Sequence, residues 1–295
     1  MPLLKIGSQG SEVIAWQKFL NSNGFNVGTA DGVFGNGTSS ATKAFQTSKQ
    51  LSADGIVGNQ TIARATSMGF QPATSSFLPV GNINVVVDVS HFQNNIDFAA
   101  VKQDGILAMI HKATQGTTYT DPTYAQNRDS AKTEGLLWGA YHFGTAQDVP
   151  TQVSHFLQVA AALPDTLLVL DWEENGIASQ GTMSLDQAKQ FVQMVKAQTG
   201  KFPLLYGGSL IKNSVGANGD PILSQCPLWL AQYTSSPTLP AGWNHYDLWQ
   251  YTDGINGPTP HSINGIGPCD RDVFAGTPST LIEFWKSGLA ETASV

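Results

Sequence analysis

Eight short apolar runs recur along the chain, at 85–89, 107–111, 138–143, 167–170, 203–206, 228–232, 248–251 and 270–274. The fourth, Leu167-Leu168-Val169-Leu170, runs without interruption into Asp171-Trp172-Glu173. A strand with one face in water needs a polar residue at every second position, so a run that lacks them belongs to a strand covered on both sides. Eight such strands with helical or irregular segments between them predict an α/β fold built on a barrel of mostly parallel strands. Helices are predicted at 121–135, 151–163 and 184–199. The later connections are too short and too rich in Gly and Pro for full helices, so the (β/α) barrel is expected to be irregular in its second half.

Catalytic groups of barrel enzymes lie at the C-terminal ends of the strands. The first run ends at Asp88, the fourth at Asp171-Trp172-Glu173, and the last begins with Asp270. Side chains two apart on a strand share a face, so Asp171 and Glu173 are expected to project together while Trp172 points elsewhere. Repulsion between two such carboxylates, with partial burial, raises one of them toward the pH at which it can hand a proton to a leaving group. Glu173, the longer arm, is read as the general acid and Asp171 as the charge that positions the reacting group. Glycosidic cleavage needs this combination of proton donor and stabilising carboxylate.

The first 68 residues carry an internal echo: Asp31-Gly32-Val33-Phe34-Gly35-Asn36-Gly37-Thr38 returns as Asp54-Gly55-Ile56-Val57-Gly58-Asn59-Gln60-Thr61. Each copy reads as an Asp-Gly turn followed by a threonine placed to cap a helix. Val13, Ile14, Trp16 and Leu20 fall on one side of a helix over 11–23, and Ala41, Ala44 and Phe45 continue the pattern in a second. The prediction is a small three-helix bundle whose core rests on Trp16, Phe19, Phe34 and Phe45. Residues 69–82 hold no charge and many Gly, Pro, Ser and Thr, which reads as a linker. The expected division is therefore 1–68, linker 69–82, barrel 83–288 and a tail at 289–295.

Charge excludes more than it proves. The bundle carries 5 basic and 3 acidic groups and the remainder 10 and 19, so the acidic excess behind the net −7 lies outside the bundle and nucleic acid is not an expected partner. No apolar run approaches membrane-spanning length, and the first residues lack the basic and apolar regions of a secretory signal. His91, His111, His142, His155, His245 and His261 show no metal-ligand spacing, which disfavours a zinc amidase; no metal and no cofactor are expected. Cys226 and Cys269 form no framework and are read as free thiols, with a single bridge between them as the alternative that their separation decides.

Six motifs then occur in order: Val87-Asp88-Val89-Ser90, Ala140-Tyr141-His142-Phe143, Leu170-Asp171-Trp172-Glu173, Trp229-Leu230-Ala231-Gln232-Tyr233, Leu248-Trp249-Gln250-Tyr251 and Asp270-Arg271-Asp272-Val273-Phe274. In these the chain resembles the family 25 glycoside hydrolases, the muramidase-type lysozymes. The resemblance implies hydrolysis of the β-1,4 bond from N-acetylmuramic acid to N-acetylglucosamine, with Glu173 and Asp171 as acid and assisting carboxylate and Asp88 and Asp270 as flanking acids. A carboxylate two positions before the acid also suggests a substrate-assisted mechanism, with an inverting or directly nucleophilic route as the rival. The chain departs from the family's Asn two positions after the last acid, where it has Asp272.

Tyr141, Tyr206 and Trp229 are expected as sugar-stacking walls, with His142, Gln232 and Tyr251 as further substrate contacts and Trp249 as packing. Residues 3–66 resemble the type 1 peptidoglycan-binding domain through Gly7-Ser8-Gln9-Gly10, the Asp-Gly turns and Phe45-Gln46. That resemblance implies wall binding near Asp31, Asn36 and Gln46, although these residues also suit a role in building turns. The combined expectation is a monomeric muramidase acting on bacterial peptidoglycan, similar to a bacteriophage endolysin made in the host cytoplasm. The alternatives are a catalytically silent wall-binding protein, a lytic transglycosylase and a chitinase-like enzyme.

Overall fold

The computed structural model describes residues 3–8, 11–70, 78–79, 81–93, 95–160 and 165–287. Most of the expected linker, the tail at 289–295 and two residues of the Gly7-Ser8-Gln9-Gly10 motif lie outside the described residues.

Three helices, α1 (Ser11–Ser22), α2 (Asn36–Ser48) and α3 (Asn59–Thr66), form the first unit. Trp16 is fully buried at its centre, with the rings of Phe70, Phe19 and Phe45 at 5.2, 5.3 and 5.5 Å. Its indole N–H donates to Thr42 Oγ1 at 2.9 Å, so the largest group of a small core leaves no donor unpaired. Phe34 and Phe45 are fully buried and Phe19 nearly so. Ala44, expected on the inner face of α2, is exposed; the buried stripe is Ala41, Thr42 and Phe45.

The sequence echo is an echo of hydrogen bonds. Gln17 Nε2 donates to Asp31 Oδ1 and Thr38 Oγ1, and its Oε1 accepts the Gly32 N–H. Gln46 repeats the pattern on Asp54, Thr61 and Gly55. Each buried glutamine thereby ties an Asp-Gly turn to the first turn of the next helix. The threonines are not caps as expected: Gly35 and Gly58 occupy the cap positions without side-chain bonds, and Thr38 and Thr61 sit inside the helices as acceptors for the glutamines.

The second unit comprises β1 (Ile83–Val89), α4 (Phe98–Gln103), β2 (Ala108–Gln115), β3 (Tyr119–Thr120), α5 (Tyr124–Thr133), β4 (Leu137–Phe143), α6 (Val149–Ala160), β5 (Leu167–Asp171) and α7 (Leu185–Thr199). It continues with β6 (Leu204–Gly207), α8 (Ser209–Ser214), β7 (Leu228–Ala231), β8 (Leu248–Thr252), the small pair β9 (Ser262–Ile263) and β10 (Gly267–Pro268), β11 (Asp270–Phe274) and α9 (Pro278–Ser287). All eight apolar runs become strands of one closed barrel, in the order β1-β11-β8-β7-β6-β5-β4-β2 with β2 pairing back to β1. Neighbours are parallel except β11, which runs antiparallel to both β8 and β1. Its first residue, Asp270, therefore stands at the same end of the barrel as the last residues of the other strands.

Period-two alternation sorts each strand between two cores. Val86, Leu167, Val169, Leu204, Leu248 and Phe274 pack together inside, while Val87, Leu170, Leu205 and Leu230 pack outward under the helices. Helix α7 starts with a reciprocal capping box between Ser184 and Gln187 and ends at Gly200, whose φ of 81° suits glycine. The second half is irregular as predicted, with only the six-residue α8 and a single 3-10 turn between β6 and β7. Helix α9, which the sequence patterns did not reveal, places Leu281, Phe284 and Trp285 against the interior cluster and plugs the barrel at the end opposite Asp270. Cys226 and Cys269 are free and buried. The Asp104 carboxylate joins the two units, accepting the Leu3 N–H at 2.9 Å and the Asn264 N–H at 3.0 Å.

Candidate active site

At the open end the interior-facing positions change from apolar to acidic. Asp88 continues the inward row of Val86, Asp171 that of Val169, and Asp270 begins the row that ends at Phe274. Together with Glu173 these acids line a cavity of about 200 Å³ walled by Tyr141, Tyr206, Trp229, Tyr233 and Gln250. Asp171 and Glu173 reach it from the same side of the backbone, as the alternation predicts. Trp172, between them, is fully buried in the outer core with its indole N–H on Met183 O at 2.8 Å.

Burial holds these carboxyls above the ordinary carboxylate range. Asp171 is raised first by burial and then by the neighbouring Glu173 charge, with Lys112 opposing. Glu173 is raised by burial, again opposed by Lys112. Across the cavity, burial and then the charges of Asp253 and Glu173 push Asp270 up to about 7. Asp88 is raised by burial and by Asp270 and Asp272, against the bond it accepts from Gln250. The site is thus a set of acids that retain protons where free carboxylates would have lost them.

Two donors hold the floor. Gln250 Nε2 donates to Asp88 Oδ2 at 2.8 Å, and its Oε1 accepts the hydroxyls of Tyr206 at 2.9 Å and Tyr233 at 3.1 Å. Trp229 Nε1 donates to Asp272 Oδ1 at 2.7 Å, and its ring meets that of Tyr206 edge-on at 4.5 Å. Sequence reasoning missed Gln250, Tyr233 and Lys112 as site residues. Lys112 is the cation whose charge acts on Asp171 and Glu173; its Nζ donates to Gln115 Oε1 at 2.7 Å and lies 5.0 Å from the centre of the Phe143 ring. Alternation was the available signal for Gln250, two positions after the inward Leu248.

Three expected contacts are elsewhere. His142 follows the inward Tyr141 and so faces the outer core, where it is fully buried between Thr114 and Gln152, and burial lowers it to about 3. Tyr251 also faces outward, and its hydroxyl pairs with Asn84 and Pro260 O. Gln232 lies past the end of β7, in an adjoining hollow of about 540 Å³ beyond Glu173, with its amide occupied by Thr238. In the helical unit Asp31 and Asn36 are exposed, whereas Gln46 is buried and its amide is spent on the second Asp-Gly turn.

Comparison with known proteins matches the same two units. A family model described as glycosyl hydrolases family 25 covers residues 87–259, and a peptidoglycan binding domain model covers residues 9–64. Lysozyme M1 of Streptomyces globisporus is 29% identical over 66% of this chain and 69% of its own. An N,O-diacetylmuramidase of a Chalaropsis species is 28% identical over 60% of this chain and 92% of its own. The solved structure of a bacterial lysozyme from Streptomyces coelicolor superposes with a TM-score of 0.60 at 28% identity, covering 69% of this chain and 97% of that one. The matched span takes in all or part of seven of the eight barrel strands and both Asp171 and Glu173, so the chain belongs to glycosyl hydrolases family 25, a glycoside hydrolase with a peptidoglycan-binding domain ahead of its barrel.

Proposed function

We propose that the barrel hydrolyses the β-1,4 bond from N-acetylmuramic acid to N-acetylglucosamine in bacterial peptidoglycan, with Glu173 as proton donor and the sugar's own acetamido group as nucleophile. The observation that carries this reading is the Asp171–Glu173 pair. Asp171 Oδ1 is buried without a protein donor, so it is free to accept the N–H of a 2-acetamido group. That bond favours the carboxylate form of Asp171 and leaves a proton of the pair on Glu173, the side chain on the way to the leaving oxygen. Asp171 then orients the amide while its oxygen attacks the anomeric carbon, and Asp88 and Asp270 face the positive charge that develops on the ring. Tyr141, Tyr206 and Trp229 supply the walls against which the sugar packs.

The helical unit would concentrate the barrel on its polymeric substrate without altering the chemistry. A wall-binding domain ahead of a muramidase fits an endolysin acting as a monomer on the host wall. Mass spectrometry of digested peptidoglycan tests the bond: reducing muramic ends are expected. Anhydromuramoyl ends would replace the reading with a transglycosylase, reducing glucosamine ends with a glucosaminidase, and no soluble fragments with a silent binder. Removal of residues 1–68 is expected to weaken sedimentation with sacculi while sparing cleavage of short soluble glycans.

A further inference from the structure

Beneath the cavity lies a fifth carboxyl, Asp272, which does not line it. The side chain is fully buried; Oδ1 accepts the Trp229 indole, and no N–H or hydroxyl donates to the buried Oδ2. Its neighbour is Asp88, on the adjacent antiparallel strand, where Val86 is the backbone partner of Asp272 and Asp88 that of Asp270. Asp88 and Asp272 are thus diagonal neighbours on the inward face of one antiparallel pair, a placement that puts their carboxyls within reach of a side-chain hydrogen bond. Two carboxylates have no proton to place in such a bond, whereas a carboxylic acid beside a carboxylate has one.

The surroundings offer no substitute. From β8 Gln250 serves Asp88 Oδ2, and from β7 Trp229 serves Asp272 Oδ1. Tyr206 on β6 donates to Gln250 rather than to either acid. On β11 Asp270 adds negative charge to both. Arg271, next in the chain, turns outward and donates from its two terminal nitrogens to Ser262 O and Asn84 Oδ1; its charge reaches Asp272 and opposes the effect of burial there without supplying a hydrogen bond. From the end of β5 and the residues just past it come only the acids Asp171 and Glu173, and Lys112 of β2 acts on those two.

We propose that Asp88 and Asp272 share one proton, and that Asp272 is through this bond a positioning residue that holds Asp88 in the cavity wall. Burial raises both carboxyls and Asp270 raises them further, so the pair keeps its proton above the ordinary carboxylate range. Loss of that proton sets two buried carboxylates against each other and displaces Asp88.

The test compares the full chain with Asp272→Asn, whose amide donates to Asp88 at every pH. The melting temperature of the variant minus that of wild type is expected to grow by about 3 °C or more between pH 4 and pH 8, because the wild type must give up the pair's proton, held more tightly when folded, in addition to those that both proteins lose. The ratio of wild-type to variant kcat is expected to fall at least about tenfold from pH 6 to pH 9, a comparison in which the loss caused by Glu173 cancels. Parallel melting curves would overturn the shared proton, and a flat kcat ratio would overturn the positioning role. Should the variant not fold, the Trp229 indole N–H resonance of the wild type, assigned through its contact with Tyr206, must titrate above pH 5; a resonance that does not move overturns the proposal. The kcat arm rests on the proposed hydrolysis and the melting arm does not, so inactivity of both proteins on wall glycans would sink that reading and leave the melting result to decide the proton.

Discussion

Gln250 Nε2 donates to Asp88 Oδ2 at 2.8 Å across 162 residues of chain, and their strands are not neighbours, since β11 runs between β8 and β1. The bond therefore crosses the barrel interior, and the other end of the same amide holds two tyrosine hydroxyls. Gln250→Ala leaves a buried carboxyl oxygen and Tyr206 without their partner. It is expected to cost about 1–3 kcal/mol of stability and to lower kcat more than it raises KM, checked by denaturant unfolding and steady-state kinetics on soluble glycans.

Glu173→Gln removes the transferable proton while keeping the side chain's size. Turnover is expected to fall by about 10²–10⁴-fold with sedimentation on sacculi unchanged. The measurement is release of reducing ends at equal bound protein; near-normal release would end the assignment of Glu173.

Asp171→Asn is expected to cut turnover severely, though less than Glu173→Gln, and to change stability with a defined sign. Because the folded state raises Asp171 above its unfolded value, the stability linked to its protonation is present at low pH and is lost as pH rises through the folded value. The Asn variant should thus match wild type near pH 4 and melt progressively higher than wild type toward neutral pH. Calorimetry at several pH values reads this directly; a difference that shrinks with rising pH would contradict the burial of a costly carboxylate.

Gln46→Ala strips Asp54, Thr61 and the Gly55 N–H of a shared partner. The helical unit is expected to lose about 1–3 kcal/mol, and Gln17→Ala should behave alike because its bonds repeat those of Gln46. Both variants should spare hydrolysis of short glycans while wall binding falls with the unfolded fraction. Retained stability with lost binding would instead place Gln46 in direct contact with the wall.

The barrel was legible because a strand covered on both faces leaves a short unbroken apolar run and eight such runs recur, and Leu167-Leu168-Val169-Leu170 ends where its acids begin. Alternation was applied to Asp171 and Glu173 and gave the correct side for both. Carried to the other strands, the same rule would have admitted Gln250 in place of Tyr251 and kept His142 out, since Gln250 follows the inward Leu248 by an even step whereas Tyr251 and His142 follow inward residues by an odd one. Lys112 was harder to see: a lone lysine just past the apolar run 107–111 looks like a solvated charge, and only the fold, which carries β2 on through it, reveals the two carboxyls its charge acts on. Helix α9 escaped because its apolar residues cap the strands' far end, a contact that no local pattern encodes.

Strand β11 lies between β8 and β1, so the barrel is sealed by joining the earliest strand of the domain to the latest one synthesised. A ribosome that has delivered β1 through β8 has made an open sheet in which Asp88 lacks the strand that will carry Asp270 and Asp272. The acid-lined cavity is therefore completed only when the final strand of the domain seats itself, setting Asp270 opposite Asp88 in the same closing step.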